Sequence, residues 1–410
     1  MPEMPEAAPL IVFADDWGRH PSSCQHLVRY LLPRRRVTWV NTIGTRPPRL
    51  NWATLTRGLG KLRQWFLPGL GRKAAATTSA TASVMASATV SGVGHVVRAA
   101  GPEPVVLNPK MWPSFRSRFG RGLNRRLLTR ALRPVCESGP APVILTTLPL
   151  TADLVGRLRA ARWVYYCVDD FSVWPGLDGR TLREMEVELV AKADVVVAVS
   201  ETLRDHIARL GKPAHLLTHG VDLDFWRSPV RNDTPVSLAL LAGFELPLVV
   251  YWGVIDRRTD VGFVRRLNEA MPAGTIVLAG PLDEPDPDLP RLSRVRLLPP
   301  VPFADLPALA ARAAVFIAPY ADLPVTRAIQ PLKLKEYLAT GKPVVVRRLP
   351  ATAPWADCAD VVDTADEFAA AVLVRLRDGV PEEQRRARQR LEGEGWAAKA
   401  AVLEGWIDGG

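Results

Sequence analysis

Residues 9–42, PLIVFADDWGRHPSSCQHLVRYLLPRRRVTWVNT, form the stretch that decides the fold. The stretch begins with an apolar run that predicts a buried strand, and residues 22–35 follow as a helix with Ser22 or Ser23 as its N-cap. Residues 36–42 form a second apolar run. Uniformly apolar strands are typical of parallel sheets, because helices cover both of their faces. The stretch therefore predicts a β-α-β unit.

Apolar runs alternate with helical segments along the rest of the chain, in two series. Strand patterns of the first series are PVVLN, PVILTT, RWVYYCVDD and ADVVVAVS, with helical patterns at residues 182–192 and 201–210. The second series contains PLVVYWGVI, TIVLAGP, VRLLPPV, AVFIAPY and KPVVVRRL. A chain of 410 residues exceeds the size at which a single core stops growing. We therefore predict two α/β domains with doubly wound parallel sheets.

The restart of the pattern places the domain boundaries. We assign residues 1–230 to an N-terminal domain, 231–245 to a linker and 246–385 to a C-terminal domain. Residues 386–410 are predicted to form an amphipathic helix that crosses back to the first domain. A low-complexity tract of Ala, Thr, Ser and Val at residues 74–94 is predicted to be a poorly ordered insertion.

The charge of +11 is unevenly distributed along the chain. Between Trp17 and Cys136 there are 21 Lys and Arg residues, and Glu103 is the sole acid. Such a basic half-domain attracts nucleic acid, an anionic membrane or an anionic substrate. Its segment 46–73, which also carries tryptophans, fits docking on an anionic membrane and equally fits a plain arginine-rich surface. It lacks a recognised nucleic-acid-reading module, so we expect no nucleic acid partner.

Cysteine usage and hydropathy indicate the compartment. The four cysteines are widely scattered without paired or metal-type spacing, which favours a reducing compartment. No basic region precedes the first short apolar run, and no run approaches 18 apolar residues. We therefore expect a cytoplasmic location, with peripheral binding to the inner face of the plasma membrane if the basic half-domain docks there.

Residues 326–346, TRAIQPLKLKEYLATGKPVVV, predict a short helix over about 331–340 before a buried strand. Leu334, Tyr337 and Leu338 share one side of this helix, whereas Glu336 lies on the other side with Lys333 nearby. Spacing alone favours a solvated surface pair, worth about 0.2 to 0.5 kcal/mol. The alternative is a cleft wall whose glutamate accepts hydrogen bonds from a sugar diol.

Acidic and imidazole side chains follow two strands of the first series. Asp169 and Asp170 end a strand, with Trp174 soon after, and Asp16 and His20 follow the first strand. Carboxylates in such places orient hydroxyls or act as a base, and an aromatic ring stacks on a sugar. The alternative is that these aspartates only cap the next turns. We find no metal-ligand spacing and expect no bound metal.

The first strand of the second series is followed by Gly253, Arg257 and Arg258. Arginine side chains match phosphate oxygens, and a glycine lets a ligand approach the backbone. Exposed arginines at a helix start are also common, so this pattern alone leaves both interpretations open.

The order and spacing of these motifs resemble GT-B glycosyltransferases of group 1 (family 4-type), in the bacterial branch that acts on surface polysaccharides. The resemblance spans nearly the whole chain and is carried by DDWGRHPSSCQHL, VYYCVDDFSVWPG, ADVVVAVSETL, HGVDLDFW, YWGVIDRRTD, VLAGP, LLPPVPFADLPALAARAAVFIAPY and PLKLKEYLATGKPVV. It implies two Rossmann-like domains that face an interdomain cleft. By this likeness, the second domain binds a nucleotide-diphosphate sugar and the first receives the acceptor.

The resemblance also assigns roles. Glu336 matches the glutamate that holds the nucleotide ribose, Arg257 and Arg258 occupy the diphosphate region, and Val301 and Pro302 lie where the base packs. The remaining donor-side candidates are Gly253, Gly280, Thr326, Ile329, Gln330 and Lys333. The acceptor-side catalytic candidates are Asp16, His20, Asp169 and Asp170. Apart from the donor, no cofactor and no metal are expected.

One departure from the family pattern concerns the transferred sugar. Family members often have two glutamates separated by seven residues, and Ala328 stands at the first position. The usual diphosphate lysine is also not evident beside Arg257 and Arg258. The implied reaction is retaining, metal-independent glycosyl transfer to a polysaccharide or lipid-linked acceptor. Alternatives are a nucleotide-sugar epimerase of similar fold, and a non-catalytic relative that serves as a binding or scaffold partner.

Overall fold

The computed structural model describes residues 7–18, 22–42, 102–174, 176–228, 239 and 241–409. The expected insertion at 74–94 and the basic segment at 46–73 lie outside these residues, as does most of the expected linker at 231–245. Among the described residues, none of the helices combines the length and the apolar character needed to cross a membrane.

The first sheet has seven parallel strands. They are β1 (Leu10–Ala14), β2 (Val37–Asn41), β3 (Val105–Leu107), β4 (Val143–Thr146), β5 (Arg162–Cys167), β6 (Val195–Ala198) and β7 (His215–Leu216). Their order is β3-β2-β1-β4-β5-β6-β7, and Leu10 of β1 pairs with Val37 on one side and Val143 on the other. The chain reverses its direction of travel across the sheet between β1 and β4, so ligands are expected beyond the carboxyl ends of these strands.

Four helices cover this sheet: α1 (Ser23–Leu31), α2 (Arg118–Glu137), α3 (Gly179–Lys192) and α4 (Glu201–Arg209). Each begins after a side chain that accepts a hydrogen bond from a first-turn amide; the caps are Ser22, Ser117, Asp178 and Ser200. These caps satisfy amides that have no partner within the helix. Of the two serines that the sequence offers for α1, Ser22 is the cap.

The second sheet has six parallel strands. They are β8 (Leu248–Trp252), β10 (Thr275–Ala279), β12 (Val295–Leu298), β13 (Ala313–Ala318), β14 (Val344–Arg347) and β15 (Asp360–Val362), in the order β12-β10-β8-β13-β14-β15. The short strands β9 (Ile255–Asp256) and β11 (Leu282–Asp283) form a separate pair. In this second sheet, the chain reverses its direction of travel between β8 and β13. The predicted architecture of two doubly wound parallel sheets is thus confirmed.

The remaining helices follow β7 in the chain. They are α5 (Leu223–Arg227), α6 (Val261–Ala270), α7 (Leu306–Arg312), α8 (Pro324–Ala328), α9 (Leu332–Ala339), α10 (Ala365–Asp378), α11 (Glu382–Ala387) and α12 (Trp396–Asp408). Single turns of 3-10 helix occur at Pro149–Thr151, Leu289–Arg291, Phe303–Asp305 and Ala353–Trp355. Helix α9 is the helix predicted at 331–340, shortened by one residue at each end.

The sequence predicted one continuous C-terminal helix, but the structure shows a break in this segment. Helix α11 passes into a 3-10 stretch, Arg388–Glu394, and α12 begins after Gly395. Glycine is a poor helix former, so this break is consistent with Gly393 and Gly395. Helix α12 packs on α1, where Arg35 donates hydrogen bonds to Glu404 and Asp408. The end of the chain therefore lies against the first domain.

Candidate functional site

Helix α9 presents Lys333 to the end of β8. The Lys333 amine lies 3.2 Å from the Tyr251 hydroxyl and 4.6 Å from the centre of the Tyr251 ring. The Tyr320 ring, which follows β13, is 5.9 Å away. Aromatic faces attract cations, so the two rings hold the ammonium group at the switch point of the second sheet.

Two glycines bring the backbone close to this amine. Gly253 and Gly280 have φ angles of 139° and 150°, which favour glycine. A Cβ on Gly253 would overlap the Lys333 amine, and a Cβ on Gly280 would overlap the Gly253 carbonyl. The end of β8 is therefore bare backbone against a fixed cation, and Gly280 lets the end of β10 pack closely on Gly253.

Glu336 lies one turn further along α9 and is partly buried. The Trp252 indole N–H donates to its carboxylate at 3.4 Å. Burial raises the pKa of Glu336 to about 7, although this bond and the nearby Lys333 oppose the rise. Lys333 and Glu336 thus bond to Tyr251 and Trp252 rather than to each other, so the interpretation as a solvated surface pair is wrong.

Arg257 and Arg258 are adjacent in sequence but point to different places. Arg258 is mostly buried, pairs with Asp256 at 2.7 Å and lies 4.9 Å from the centre of the Trp174 ring, which belongs to the first domain. The side chain of Arg257 is 73% exposed and pairs with Glu284 at 3.3 Å. Of the two predicted diphosphate contacts, only Arg258 faces the cleft between the domains.

Asp169 and Asp170 are also adjacent in sequence and also point to different places. Asp169 faces Arg258 across the cleft; burial raises the pKa of Asp169 to about 7, and the Arg258 charge opposes this rise. Asp170 turns away and accepts hydrogen bonds from the Ser172 amide at 3.0 Å and the Ser172 hydroxyl at 2.5 Å. Of the two carboxyls, that of Asp169 therefore faces Arg258, and the acceptor-side role of both residues stays a prediction.

The sequence reasoning missed a cluster of Asp170, Glu186 and His206, whose potential metal-ligating atoms lie within 4.8 Å of one another. Glu186 is buried, and its carboxylate bonds the Tyr165 hydroxyl at 2.6 Å and the His206 ring at 2.9 Å. The bond to Glu186 raises the pKa of His206 despite partial burial. Metal-type spacing could not have indicated this set, because its members follow β5 or belong to two different helices.

In the loop after β1, the Asp15 side chain holds the loop in place. Its carboxylate accepts hydrogen bonds from the Ser22 hydroxyl and the Gln25 amide, both at 3.0 Å. Burial raises the pKa of Asp15 to about 6, against the effect of these two bonds. His20 lies outside the described residues. Asp16 is partly buried at the edge of the same loop and stays a predicted acceptor-side residue.

The other predicted donor-side residues are dispersed. The Thr326 hydroxyl is buried and caps α8, where it accepts from the Leu323 amide at 2.9 Å, so it is not available to a ligand. Val301, Pro302 and Ile329 are partly buried, and Val301 and Ile329 pack against the core of the second domain. Gln330 lines a different pocket.

Ala328 joins the two domains at the place of the missing family glutamate. Its carbonyl accepts a hydrogen bond of 2.7 Å from the Ser200 hydroxyl, at the start of α4. The sequence reasoning also passed over Lys335, which is 2% exposed and pairs with Glu394 at 2.5 Å. The sequence around Lys335 did not indicate that this residue is buried, because its burial depends on a partner 59 residues away.

Comparisons with known proteins agree with the predicted fold and with the predicted kind of domain. Residues 262–378 match the family model of group 1 glycosyl transferases. No curated protein sequence matches the chain.

Solved structures share the fold over almost the whole chain. Sucrose-phosphate synthase from Thermosynechococcus elongatus has a TM-score of 0.64 and 16% identity, with 97% of each chain covered. A UDP-forming trehalose-phosphate synthase from Burkholderia xenovorans has a TM-score of 0.62 and 14% identity, over 98% of this chain and 99% of the other. HepE from Anabaena in complex with UDP has a TM-score of 0.56 and 14% identity, over 97% of this chain and 95% of the other. At such identities the likeness establishes the fold.

Proposed function

We propose that this chain is a glycosyltransferase that transfers a sugar from a nucleotide-diphosphate donor to a polysaccharide or lipid-linked acceptor in cell-surface polysaccharide biosynthesis. The match of residues 262–378 to group 1 glycosyl transferases and the GT-B fold support this proposal. The observation that carries this proposal is the Lys333 amine held by two tyrosine rings against bare backbone at Gly253. HepE was solved with UDP and with UDP-glucose, which supports a nucleotide sugar as the donor.

The diphosphate is the leaving group, and negative charge grows on it as the bond to the sugar breaks. Lys333 and Arg258 are the fixed cations at this end of the cleft. Cations that are held in place before the reaction lower its barrier, because they need not reorganise as the charge develops. Lys333 thereby takes the role of the family lysine that the sequence lacks beside Arg258.

Glu336 is proposed to accept hydrogen bonds from the ribose hydroxyls. Its carboxylate has a single protein donor among the described residues, the Trp252 indole at 3.4 Å, which leaves acceptor capacity for a diol. Ionisation near neutral pH is consistent with this role, since an ionised carboxylate is the stronger acceptor.

On the acceptor side, Asp169 is proposed to orient the attacking hydroxyl. Retention of configuration requires no enzyme base on the face opposite the leaving group. Ser172 donates hydrogen bonds to Asp170, and burial raises the pKa of Asp169 to about 7, so the Asp169 carboxylate is compatible with either stereochemical outcome. We favour a retaining, metal-independent transfer, as the family resemblance implies.

The lipid-linked acceptor is supported by the outer face of α2. Phe119 is 74% exposed, and Arg126, Arg130 and Arg133 lie seven, eleven and fourteen residues further on, which places them on the same exposed face. With Arg125 and Arg157 they line a surface cavity of 780 Å³. An exposed aromatic ring beside basic residues suits an anionic membrane surface. The proposal therefore includes docking at the inner face of the plasma membrane.

Product analysis with a panel of donors tests the reaction. The protein is incubated with UDP-glucose, GDP-mannose or dTDP-glucose and a lipid-linked acceptor extract, and products are identified by mass spectrometry. A glycosylated lipid supports the proposal, whereas an epimerised nucleotide sugar or no product with any donor refutes it. Proton NMR of the product reports the anomeric configuration, and inversion would overturn the retaining mechanism.

Vesicle sedimentation tests the membrane docking separately. Wild type is expected to prefer phosphatidylglycerol vesicles to phosphatidylcholine vesicles at low salt. Each basic residue near the surface contributes about 1 kcal/mol, so the Arg126→Gln/Arg130→Gln variant is expected to bind about 30-fold more weakly. The control is Arg385→Gln/Arg386→Gln, which removes two exposed charges from α11. Equal binding of wild type to both kinds of vesicle would refute docking.

A further inference from the structure

A second pocket lies on the other side of α9 from Lys333. Its volume is 330 Å³, and its walls come from both domains. Lys333 and Lys335 are two residues apart, or about 200° around the helix, so one amine faces the donor-side cleft and the other this pocket. The residues that matter for the pocket are Ser200, Thr202, Gln330, Lys335, Trp355 and Arg390.

The start of α4 forms one wall. Helix α4 has nine residues, and the Ser200 hydroxyl caps it by accepting from the Leu203 amide at 3.2 Å. The preceding amides, of Glu201 and Thr202, have no hydrogen-bond partner within the described part of the chain. Free amides at a helix start, together with the helix dipole, form a binding site for an anion.

Gln330 is an independent indication of a ligand. The residue is only 8% exposed, and it lines the pocket. Its side-chain amide makes no hydrogen bond to any residue that the structure describes. The amide is not among the fully buried unpaired polar atoms, so it reaches the surface of the pocket and is open to a polar ligand there.

The charged side chains that line the pocket balance, with Lys335 and Arg390 against Glu201 and Glu394. The Lys335 amine is fully engaged, because it donates to Glu394 at 2.5 Å, to the Thr218 hydroxyl at 3.3 Å and to the His219 carbonyl. The Arg390 guanidinium lies 4.1 Å from the centre of the Trp355 ring and pairs with an exposed aspartate, Asp357. The pocket thus combines free amides, a free carboxamide and the Arg390 guanidinium.

We propose that this pocket binds the phosphate group of a small phosphorylated molecule, with the α4 amides, Gln330 and Arg390 as its contacts. A volume of 330 Å³ is at the lower end for small-molecule sites, which suits a hexose phosphate or inorganic phosphate better than a nucleotide sugar. Because the walls come from both domains, an occupied pocket links the start of α4 to α9 beside the 2.7 Å contact between Ser200 and Ala328.

Isothermal titration of the full chain tests the site with glucose 6-phosphate, inorganic phosphate and unphosphorylated glucose as probes. We expect binding by at least one phosphate-bearing probe and none by glucose. Arg390→Gln is expected to weaken this binding at least tenfold, since it removes a charged contact. Glu201→Pro removes one of the free amides at the first position of α4, where proline is tolerated, and a several-fold loss is expected there. Arg386→Gln, which removes an exposed arginine of α11, is the matched control and should bind within twofold of wild type.

The Lys333→Met variant distinguishes the second pocket from the donor-side cleft on the other side of α9. This variant removes the cation of the donor-side cleft, so phosphate binding in the second pocket should stay within twofold of wild type. The proposal is overturned if neither phosphate-bearing probe binds wild type. It is also overturned if Lys333→Met abolishes binding while Arg390→Gln and Glu201→Pro leave it unchanged, because the phosphate then occupies the donor-side cleft. Thermal unfolding of each variant confirms that it is folded.

Discussion

The Glu336→Gln variant tests the candidate site most directly, since Gln keeps the shape of the side chain and removes its charge. If the carboxylate accepts ribose hydroxyl bonds, each is worth about 1.5 to 3 kcal/mol. The variant should then bind donor at least tenfold more weakly. UDP-glucose, GDP-mannose and dTDP-glucose are titrated calorimetrically into both proteins, and the donor that binds wild type best is used for the comparison.

The pH dependence of donor binding supplies a second readout. Burial raises the pKa of Glu336 to about 7, so the carboxyl passes from mostly neutral to mostly ionised between pH 6 and pH 8. The ionised form is the stronger acceptor, and wild-type affinity should therefore rise over this range. The affinity of Glu336→Gln should stay nearly constant, because the amide does not titrate.

Stability provides a third readout, and its sign follows from the same pKa. The folded-state pKa of about 7 lies above the unfolded value of about 4.5, so the folded protein binds the extra proton between these values. This contribution to stability is complete below about pH 4.5 and is lost as the pH rises through 7. Its size is at most about 3 kcal/mol. Denaturant unfolding at pH 5 and pH 8 should show a smaller pH-dependent loss for Glu336→Gln than for wild type.

An exposed glutamate of the same domain controls for the loss of charge alone. Glu269→Gln on α6 should leave donor affinity, its pH dependence and the unfolding free energy nearly unchanged. The reasoning about Glu336 fails if Glu336→Gln binds donor as wild type does. It fails equally if the donor affinities of both proteins respond to pH in the same way.

Three further outcomes are expected. Lys333→Met should lower kcat/KM at least 100-fold in steady-state assays, as loss of a fixed charge at a developing anion does, and a loss below fivefold would contradict its proposed role. Arg258→Gln should lower kcat/KM more than tenfold and Arg257→Gln less than twofold, and equal effects would refute their assignment to different surroundings. His206→Ala leaves the buried Glu186 carboxylate without its charged partner and should reduce the unfolding free energy by about 3 kcal/mol, measured with urea at pH 6; a loss under 1 kcal/mol would show that Glu186 does not depend on His206.

The candidate site was only partly accessible to sequence reasoning. The motif around Glu336 indicated a ligand-facing helix, and the structure places Lys333 and Glu336 against Tyr251 and Trp252. The sequence did not indicate which of two neighbouring residues faces the cleft. Arg258 rather than Arg257 reaches Trp174, and this choice depends on how the loop after β8 turns.

The sequence by itself determined the alternation of strands and helices, the restart that produces a second sheet, and a serine cap for α1 at Ser22 or Ser23. These features depend on hydrophobic periodicity and on hydrogen bonds within a few residues, so a short window of sequence contains all of the necessary information.

Only the tertiary structure decided which polar side chains meet. The cluster of Asp170, Glu186 and His206 forms because β5, α3 and α4 converge at one edge of the first sheet. Lys335 is buried because Glu394, just before α12, returns to it. Such pairings join residues tens of positions apart, and their free energy depends on burial and strand order rather than on local pattern.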